Sequence, residues 1–253
     1  MIIKTPEELE ILREGGRELS AILEELKSAI KAGVRTKELD ALAEKLIRAN
    51  GGVPSFKGYR TFDAASPYPA SLCISINDEV VHGIPSQRVF ESGDIVGLDI
   101  GMKYQGFFTD MAETVAVGKI DKNGEKLIRV TKKALELAIS TIKPETRVGD
   151  VGEAVQKFAE AEGFGIVRQL VGHGVGAKVH EDPEIPNWGQ AGTGPVLKEN
   201  MVIAIEPMVT EGSFEVYLDK DGWTWKTKDG SRAAHFEHTI LVTNNGAEVL
   251  TKC

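Results

Sequence analysis

Five acidic and imidazole side chains stand inside segments that otherwise read as apolar strands. They are Asp99 in IVGLDIG, Asp110 in FFTDMAET, His173 in LVGHGVG, Glu206 in VIAIEPM and Glu237 in AHFEHTILV. A buried carboxylate is costly unless a cation or hydrogen bonds compensate it. Four such groups meeting in one core would repel one another, so the economical solution is that they gather around divalent metal. Any fold open to this chain must bring five separate segments to one place.

Composition narrows the class without choosing a fold. The 253 residues are 42% hydrophobic and 27% charged, as in an ordinary globular protein. A net charge of −8, from 30 basic and 38 acidic residues, argues against nucleic acid or an anionic membrane as the main partner. No apolar run approaches the roughly 20 residues that span a bilayer. The opening MIIKTPEELE turns acidic at once and lacks the apolar stretch of a signal peptide, so a cytoplasmic location is expected. Cys73 and Cys253 are the only cysteines, a usage that suits a reducing compartment better than a structural disulfide.

The helical segments come in two similar pairs. Thr5-Pro6-Glu7-Glu8 reads as a capping box with proline at the first helical position, opening a helix whose Leu9, Leu12, Leu19, Leu23, Leu26 and Ile30 recur at helical spacing. A second helix is expected from Thr36 to Asn50, stopped by Gly51-Gly52. A later pair is expected over Gly124–Ile142 and Val148–Glu162. Laid over one another, residues 30–51 and 142–163 match Ile30, Lys31, Arg35, Lys45, Ala49 and Gly51 with Ile142, Lys143, Arg147, Lys157, Ala161 and Gly163. The strands echo the plan: VVHGI with VGHGV, DIVGLDIG with NMVIAIEP, AETVAVG with EHTILVT. The expectation is one α+β catalytic domain of two pseudo-symmetric halves, roughly 1–118 and 119–253. They share a central antiparallel sheet, and each holds two helices, a histidine strand and two carboxylate strands. Asp99 and Glu206 would then meet at the pseudo-axis.

Residues 94–117 read as a hairpin turning at Gln105-Gly106. With a two-residue loop, Tyr104 faces Phe107, Asp110 faces Gly101 and Asp99 faces Ala112. Side chains alternate between faces, so both aspartates lie on one face as diagonal neighbours about 7–8 Å apart at the backbone. A three-residue loop would put them on opposite faces.

Glu206 ends its strand because Pro207 has no N–H to continue a ladder. Four carboxylates, one imidazole and no thiolate favour Mn, Fe or Co, with Zn also suited. That is more negative charge than one divalent ion needs, and two ions a few ångströms apart fit better. His82 and His180 lie in or beside the same segments, whereas His235 and His238 are expected beside the site or at the surface. The glycines at 172, 174 and 176 lack the spacing of a phosphate loop. No basic clamp for a phosphoester accompanies the carboxylates.

Asp99, Asp110, HGVG, IEP and EHT, in this order, resemble the ligand signature of the pita-bread metallopeptidases, and within them the chain is similar to the type I methionine aminopeptidases. The resemblance covers SLCISINDEVVHGIP, the Asp99–Asp110 hairpin, VGHGVG, VHEDPEIPN, AIEPMV, DGWTWKT and FEHTILVT. The short Glu206–Glu237 interval excludes the type II insert, and the short start lacks the extra domain of prolidases. The resemblance implies the pita-bread fold and two divalent ions held by Asp99, Asp110, His173, Glu206 and Glu237, with Asp110 and Glu237 shared. It implies Glu206 as general acid/base, His82 and His180 on the substrate, and Tyr68, Cys73 and Trp223 around a methionine pocket. Ala65 and Ser66 stand where bulkier pocket residues are expected. The implied activity is removal of initiator methionine from nascent chains with a small second residue, by metal-activated hydroxide. The implied protein is a monomer, and the implied function carries an expectation of ribosome contact. A proline-directed exopeptidase or a non-enzymatic binding protein on the same fold are the rival readings.

Overall fold

Each helix begins where its sequence supplies a partner for the free N–H groups of the first turn. The structure, a computed structural model, describes residues 1–61 and 66–252. Helix α1 (Pro6–Ala29) starts with the Thr5 hydroxyl accepting from Glu8 N at 3.2 Å. The Glu8 carboxylate reaches back to Lys4 N at 2.8 Å rather than to Thr5 N, so the expected box closes one residue early. Helix α2 (Thr36–Ala49) follows, and α3 (Lys122–Thr141) starts slightly before its expected Gly124 because Asp121 caps it through Gly124 N at 2.8 Å. Helix α4 spans Val148–Ala161.

The strands of the first half are β1 (Val53–Pro54), β2 (Leu72–Ile76), β3 (Glu79–Val81), β4 (Ile95–Tyr104) and β5 (Phe107–Ala116). The second half holds β6 (Gly165–Ile166), β7 (Gly172–Gly174), β8 (Glu181–Ile185), β9 (Val202–Ile205), β10 (Met208–Thr210), β11 (Val216–Leu218), β12 (Trp225–Thr227), β13 (Ala233–His235), β14 (Glu237–Thr243) and β15 (Gly246–Val249). Nine of them form one antiparallel sheet in the order β1-β4-β5-β14-β9-β7-β8, with β2 also on β4 and β15 also on β14. Two three-stranded sheets, β13-β10-β6 and β11-β12-β3, flank it.

The alternation of side chains divides the labour of the large sheet. Leu98, Ile100 and Met102 of β4 pack with Leu19, Leu23 and Leu26 of α1 and with Leu39 and Ile47 of α2. Ile203 and Ile205 of β9 and Ile240 and Val242 of β14 pack with Leu127, Leu135, Val151 and Val155 of α3 and α4. The helices therefore cover one face, and the opposite face is left to the chemistry. This is the expected α+β arrangement of two αβ halves around a shared antiparallel sheet.

The pseudo-symmetry extends to the hydrogen bonds. Arg35 bridges to Val89 and Arg147 to Val196 at the starts of α2 and α4, where Glu38 and Asp150 accept from the Arg35 and Arg147 amides at 3.3 and 2.7 Å. Both helices end at a left-handed glycine, Gly51 with φ 76° and Gly163 with φ 89°. Gly93 N binds Val117 O and Val117 N binds Asp94 O at 2.8 and 2.9 Å, and Asn200, Val242 and Met201 repeat that exchange at 2.9 and 2.8 Å. The same relation pairs Asp99 with Glu206. It does not pair the two histidine motifs. His173 sits in β7 opposite Ala204, the counterpart of Gly97, whose partner is Ser75. His82 instead follows β3 with φ 60°. The likeness of VVHGI to VGHGV is thus a local coincidence of glycine beside histidine, and only the second half carries a histidine within its first large-sheet strand.

Close approach fixes where α1 meets the C-terminal segment. A Cβ on Gly16 would stand 2.3 Å from Leu250 O. Alanine is the better helix former by about 1 kcal/mol, so at a free position Gly→Ala would stabilise. Gly16→Ala is expected to destabilise instead, by about 1–3 kcal/mol. Denaturant unfolding measures it; a stability gain would contradict the packing described.

Candidate metal centre

Two neighbouring rows of the large sheet hold the five residues. The β4–β5 turn is Gln105-Gly106, with φ 44° and 99°, and the register is the expected one: Tyr104 faces Phe107, Gly101 faces Asp110, Asp99 faces Ala112. Ala112 also faces Glu237 of β14, so one row runs Cys73, Asp99, Ala112, Glu237. Glu206 follows β9 at the end of that row, where Pro207 sends the chain into the next sheet. The second row holds Gly101, Asp110, Ala204 and His173. Between Asp110 and Ala204 stands Thr239, whose hydroxyl accepts from Asp110 N at 2.9 Å and donates to Asp110 O at 2.8 Å. All five side chains share one face.

Their electrostatics are those of charge without a counter-charge. Burial pushes the Asp99 carboxyl up to about 7 and the Glu206 carboxyl up to about 8. Asp110 and Glu237 are driven well above the usual carboxylate range, by burial first and by the neighbouring carboxylates second. Burial takes His173 down to about 3, with His180 adding to the effect, so its imidazole is neutral. Its Nδ1 lies 2.9 Å from Gly174 O, which places the proton there and leaves Nε2 as a lone pair facing Glu206 at 3.5 Å.

The residues fit a divalent cation. Asp99 Oδ1, Asp110 Oδ1 and Glu237 Oε1 are buried acceptors with no hydrogen-bond partner among the described residues. Ligand atoms of Asp110, His173 and Glu237 lie within 4.8 Å of one another. Orphaned buried oxygens are rare, and the carboxylates of Asp110 and Glu237 converge with the neutral imidazole of His173. Oxygen-rich ligation with one nitrogen is what Mn, Fe, Co or Zn accepts.

The cluster is the floor of a pocket of about 540 Å³ that also takes in every other residue proposed from sequence: His82, His180, Tyr68, Cys73 and Trp223. His173 and His180 meet edge to face at 4.4 Å. Partial desolvation takes His82 and His180 each down to about 4. Tyr68 donates to Gly83 O at 2.9 Å and stands edge-on to Trp223 at 5.3 Å, while Trp223 Nε1 donates to Ser66 O at 3.1 Å. Ala65 lies outside the described residues, as does Cys253; Cys73 is a buried free thiol.

Phe56, Tyr59 and Thr61 also line the pocket and are invisible to motif reading because they lie in an irregular segment. One trace of Phe56 is Gly101, where a Cβ would come within 2.8 Å of the Phe56 ring. Tyr59 OH lies 2.7 Å from His180 Nδ1. Of the two histidines left beside the site, His235 is buried with Nε2 3.5 Å from Glu206 Oε2. His238 turns to Thr251 Oγ1 at 3.0 Å.

The model of metallopeptidase family M24 matches residues 10–244. The chain belongs to that family. It is 48% identical to methionine aminopeptidase 1 of Bacillus subtilis, over all of this chain and 99% of the relative. It is 45% identical to the methionine aminopeptidase of Clostridium perfringens, over 99% and 98% of the two chains. The crystal structure of the methionine aminopeptidase from Thermotoga maritima superposes with a TM-score of 0.95 at 47% identity, covering both chains completely. The pita-bread architecture expected from the motifs is thereby shown, and the chain is a metallopeptidase, a hydrolase.

Linkage fixes how this cluster responds to pH without metal. For Asp99 and Glu206 the folded-state values near 7 and 8 exceed the ordinary 3.8 and 4.5, so their contribution to stability is lost as pH rises toward 8. For the histidines the folded values lie below 6.5, so stability is lost only as pH falls below 6.5. Between pH 6.5 and 8 the carboxyls act alone. The melting temperature of chelator-treated protein is expected to fall across that interval, and saturating Mn(II) to abolish the fall. A melting temperature that rises with pH in the metal-free protein would contradict this electrostatic account.

Proposed function

We propose that this chain removes the initiator methionine from nascent polypeptides whose second residue is small, using two divalent ions that Asp99, Asp110, His173, Glu206 and Glu237 would hold, Asp110 and Glu237 serving both. We take it as a single cytoplasmic catalytic domain, acting as a monomer on chain N-termini. The observation that carries the reading is the meeting of three partnerless carboxylate oxygens with an aromatic, thiol-lined slot of side-chain size.

Divalent ions in such a cluster polarise a carbonyl and acidify water to a nucleophile at neutral pH. The chain's own groups do the rest. Glu206, kept ionised by the cations it would help to hold, accepts a proton from the attacking water and returns it to the leaving nitrogen. Tyr59 OH holds His180 Nδ1 at 2.7 Å, and with the hydroxyl donating, Nε2–H is free to stabilise the carbonyl oxygen as it gains charge. His82, neutral at working pH, lines the same pocket and takes the substrate backbone there. An unbranched thioether suits a slot edged by Tyr68, Trp223, Phe56 and Cys73, since sulfur packs well at aromatic rims. Crowding by His82 and the carboxylate floor limits the second residue to small side chains.

With Mn or Co supplied, the protein is expected to release methionine from Met-Ala-Ser and to act poorly on Met-Leu-Ser. Equal turnover of the two peptides would remove the claim about the second residue. Glu206→Gln is expected to lower kcat by about 10²–10⁴, the range for a lost general acid/base. Asp110→Asn should cost at least about a hundredfold, since even outer partners of a metal site cost up to that much. Full turnover by Asp110→Asn would end the two-metal reading.

A further inference from the structure

The pocket is the inner end of a longer track. Outside it lies a cleft bounded at one end by His82, His173, His180 and Glu206 and at the other by Asp182 and Glu184 of β8. Those two acidic residues then begin a third concavity of about 1010 Å³, walled by Pro183, Pro186, Trp188 and Pro195 with Val148 at the start of α4. Strand β8 closes the large sheet at its edge, so the track follows a sheet margin open to an extended chain.

The far groove is rigid. The loop that carries Trp188 is stapled to α4 by three side chains one helical turn apart. Asp150 accepts from Gly192 N at 2.7 Å, Glu153 from Ala191 N at 3.3 Å and Gln156 from Gly189 N at 3.2 Å. Gly149 and Gly152 permit the approach, since a Cβ on either would stand 2.3–2.4 Å from the carbonyl of Gln190 or Trp188. Trp188 is nevertheless 39% exposed, with Nε1 already spent on Arg168 O at 3.2 Å. A tryptophan fixed at the surface with its only polar atom satisfied offers apolar area at little ordering cost. The proline walls lack N–H donors, so what the groove recognises is shape and apolarity.

We propose that this groove is an exosite for the substrate polypeptide, taking an apolar side chain some residues downstream of the methionine. The proposal rests on the peptidase reading given above. The occupant follows from continuity: the chain whose first residue fills the pocket must leave through the cleft that ends at Asp182 and Glu184. A five-residue strand such as β8 spans about 14–17 Å at roughly 3.4 Å per residue. An extended substrate therefore reaches the groove about four to six residues past the cleaved bond. The exposed carboxylates of Asp182 and Glu184 require the intervening residues to be neutral or basic.

The test is a series of nonapeptides beginning Met-Ala-Ser and continuing in serine, with one leucine moved through positions 4 to 8. Leucine at a position between 5 and 7 is expected to raise kcat/KM about tenfold over the all-serine peptide, mainly through KM, the effect of burying much of one leucine side chain. Trp188→Ala should abolish the rise while cleaving Met-Ala-Ser at the parental rate, and Trp188→Phe should retain most of it. Thr193→Trp, which places a large ring among the residues lining the groove, should abolish it too. A flat leucine series in protein that cleaves Met-Ala-Ser overturns the exosite, as does a rise undiminished in both Trp188→Ala and Thr193→Trp. Failure of metal-supplemented parent protein to cleave Met-Ala-Ser overturns the peptidase reading, and the exosite with it.

Discussion

Everything in this molecule is arranged around unneutralised negative charge on one face of a sheet. Four carboxylates within two rows, three buried and Glu206 nearly so, cannot all be ionised in a dry pocket, and their raised affinities for protons express that cost. Such a cluster cannot hold itself together; its members repel. What holds it is the reverse side of the same strands. Leu98 and Ile100 flank Asp99 in sequence and point into the core under α1 and α2, and Ile203 and Ile205 precede Glu206 and point into the core under α3 and α4. The hydrophobic effect on one face fixes the geometry of repulsion on the other.

Duplication explains how two such strands come to oppose each other. A pseudo-two-fold relation takes Gly93–Asp94 to Asn200–Met201 through the same backbone exchange, and with them Asp99 to Glu206. Each half supplies one carboxylate from its central strand, so the charge accumulates at the axis as a consequence of symmetry. Departures from symmetry then make the site directional. His173 occupies the place of Ser75, so the imidazole falls on the second half's side while Cys73 and Tyr68 line the first.

Much of this was legible in the sequence, for identifiable reasons. The Asp99–Asp110 geometry followed from a two-residue turn, because register and face are coupled with period two. The helix pairs were legible because Gly51 and Gly163 stop them and because Arg35 and Arg147 open them in the same way. The equation of His82 with His173 failed because a five-residue motif carries no information about which sheet it joins. Phe56, Tyr59 and Thr61 were illegible because an irregular segment has no period to betray which side chains turn inward. The role of Thr239 was hidden as well, since a hydroxyl in a β-branched strand residue reads as ordinary strand composition. Only the register reveals that it replaces a ladder bond to Asp110.

The support given to the proposed ligands bears on what a cation would do for this fold. In small metal-stapled domains the ion supplies the folding free energy, and ligands scatter without it. Here the ligand-bearing strands are locked by two large apolar clusters and a hairpin paired along its whole length from Ile95–Ala116 to Tyr104–Phe107. The imidazole is oriented by a backbone carbonyl, Gly174 O, rather than by a charged partner. The site is therefore preorganised by packing, and a cation entering it relieves repulsion without having to assemble its own ligands. That is the arrangement suited to catalysis, where ligand positions must survive each turnover and the energy of metal binding is free to act on the substrate.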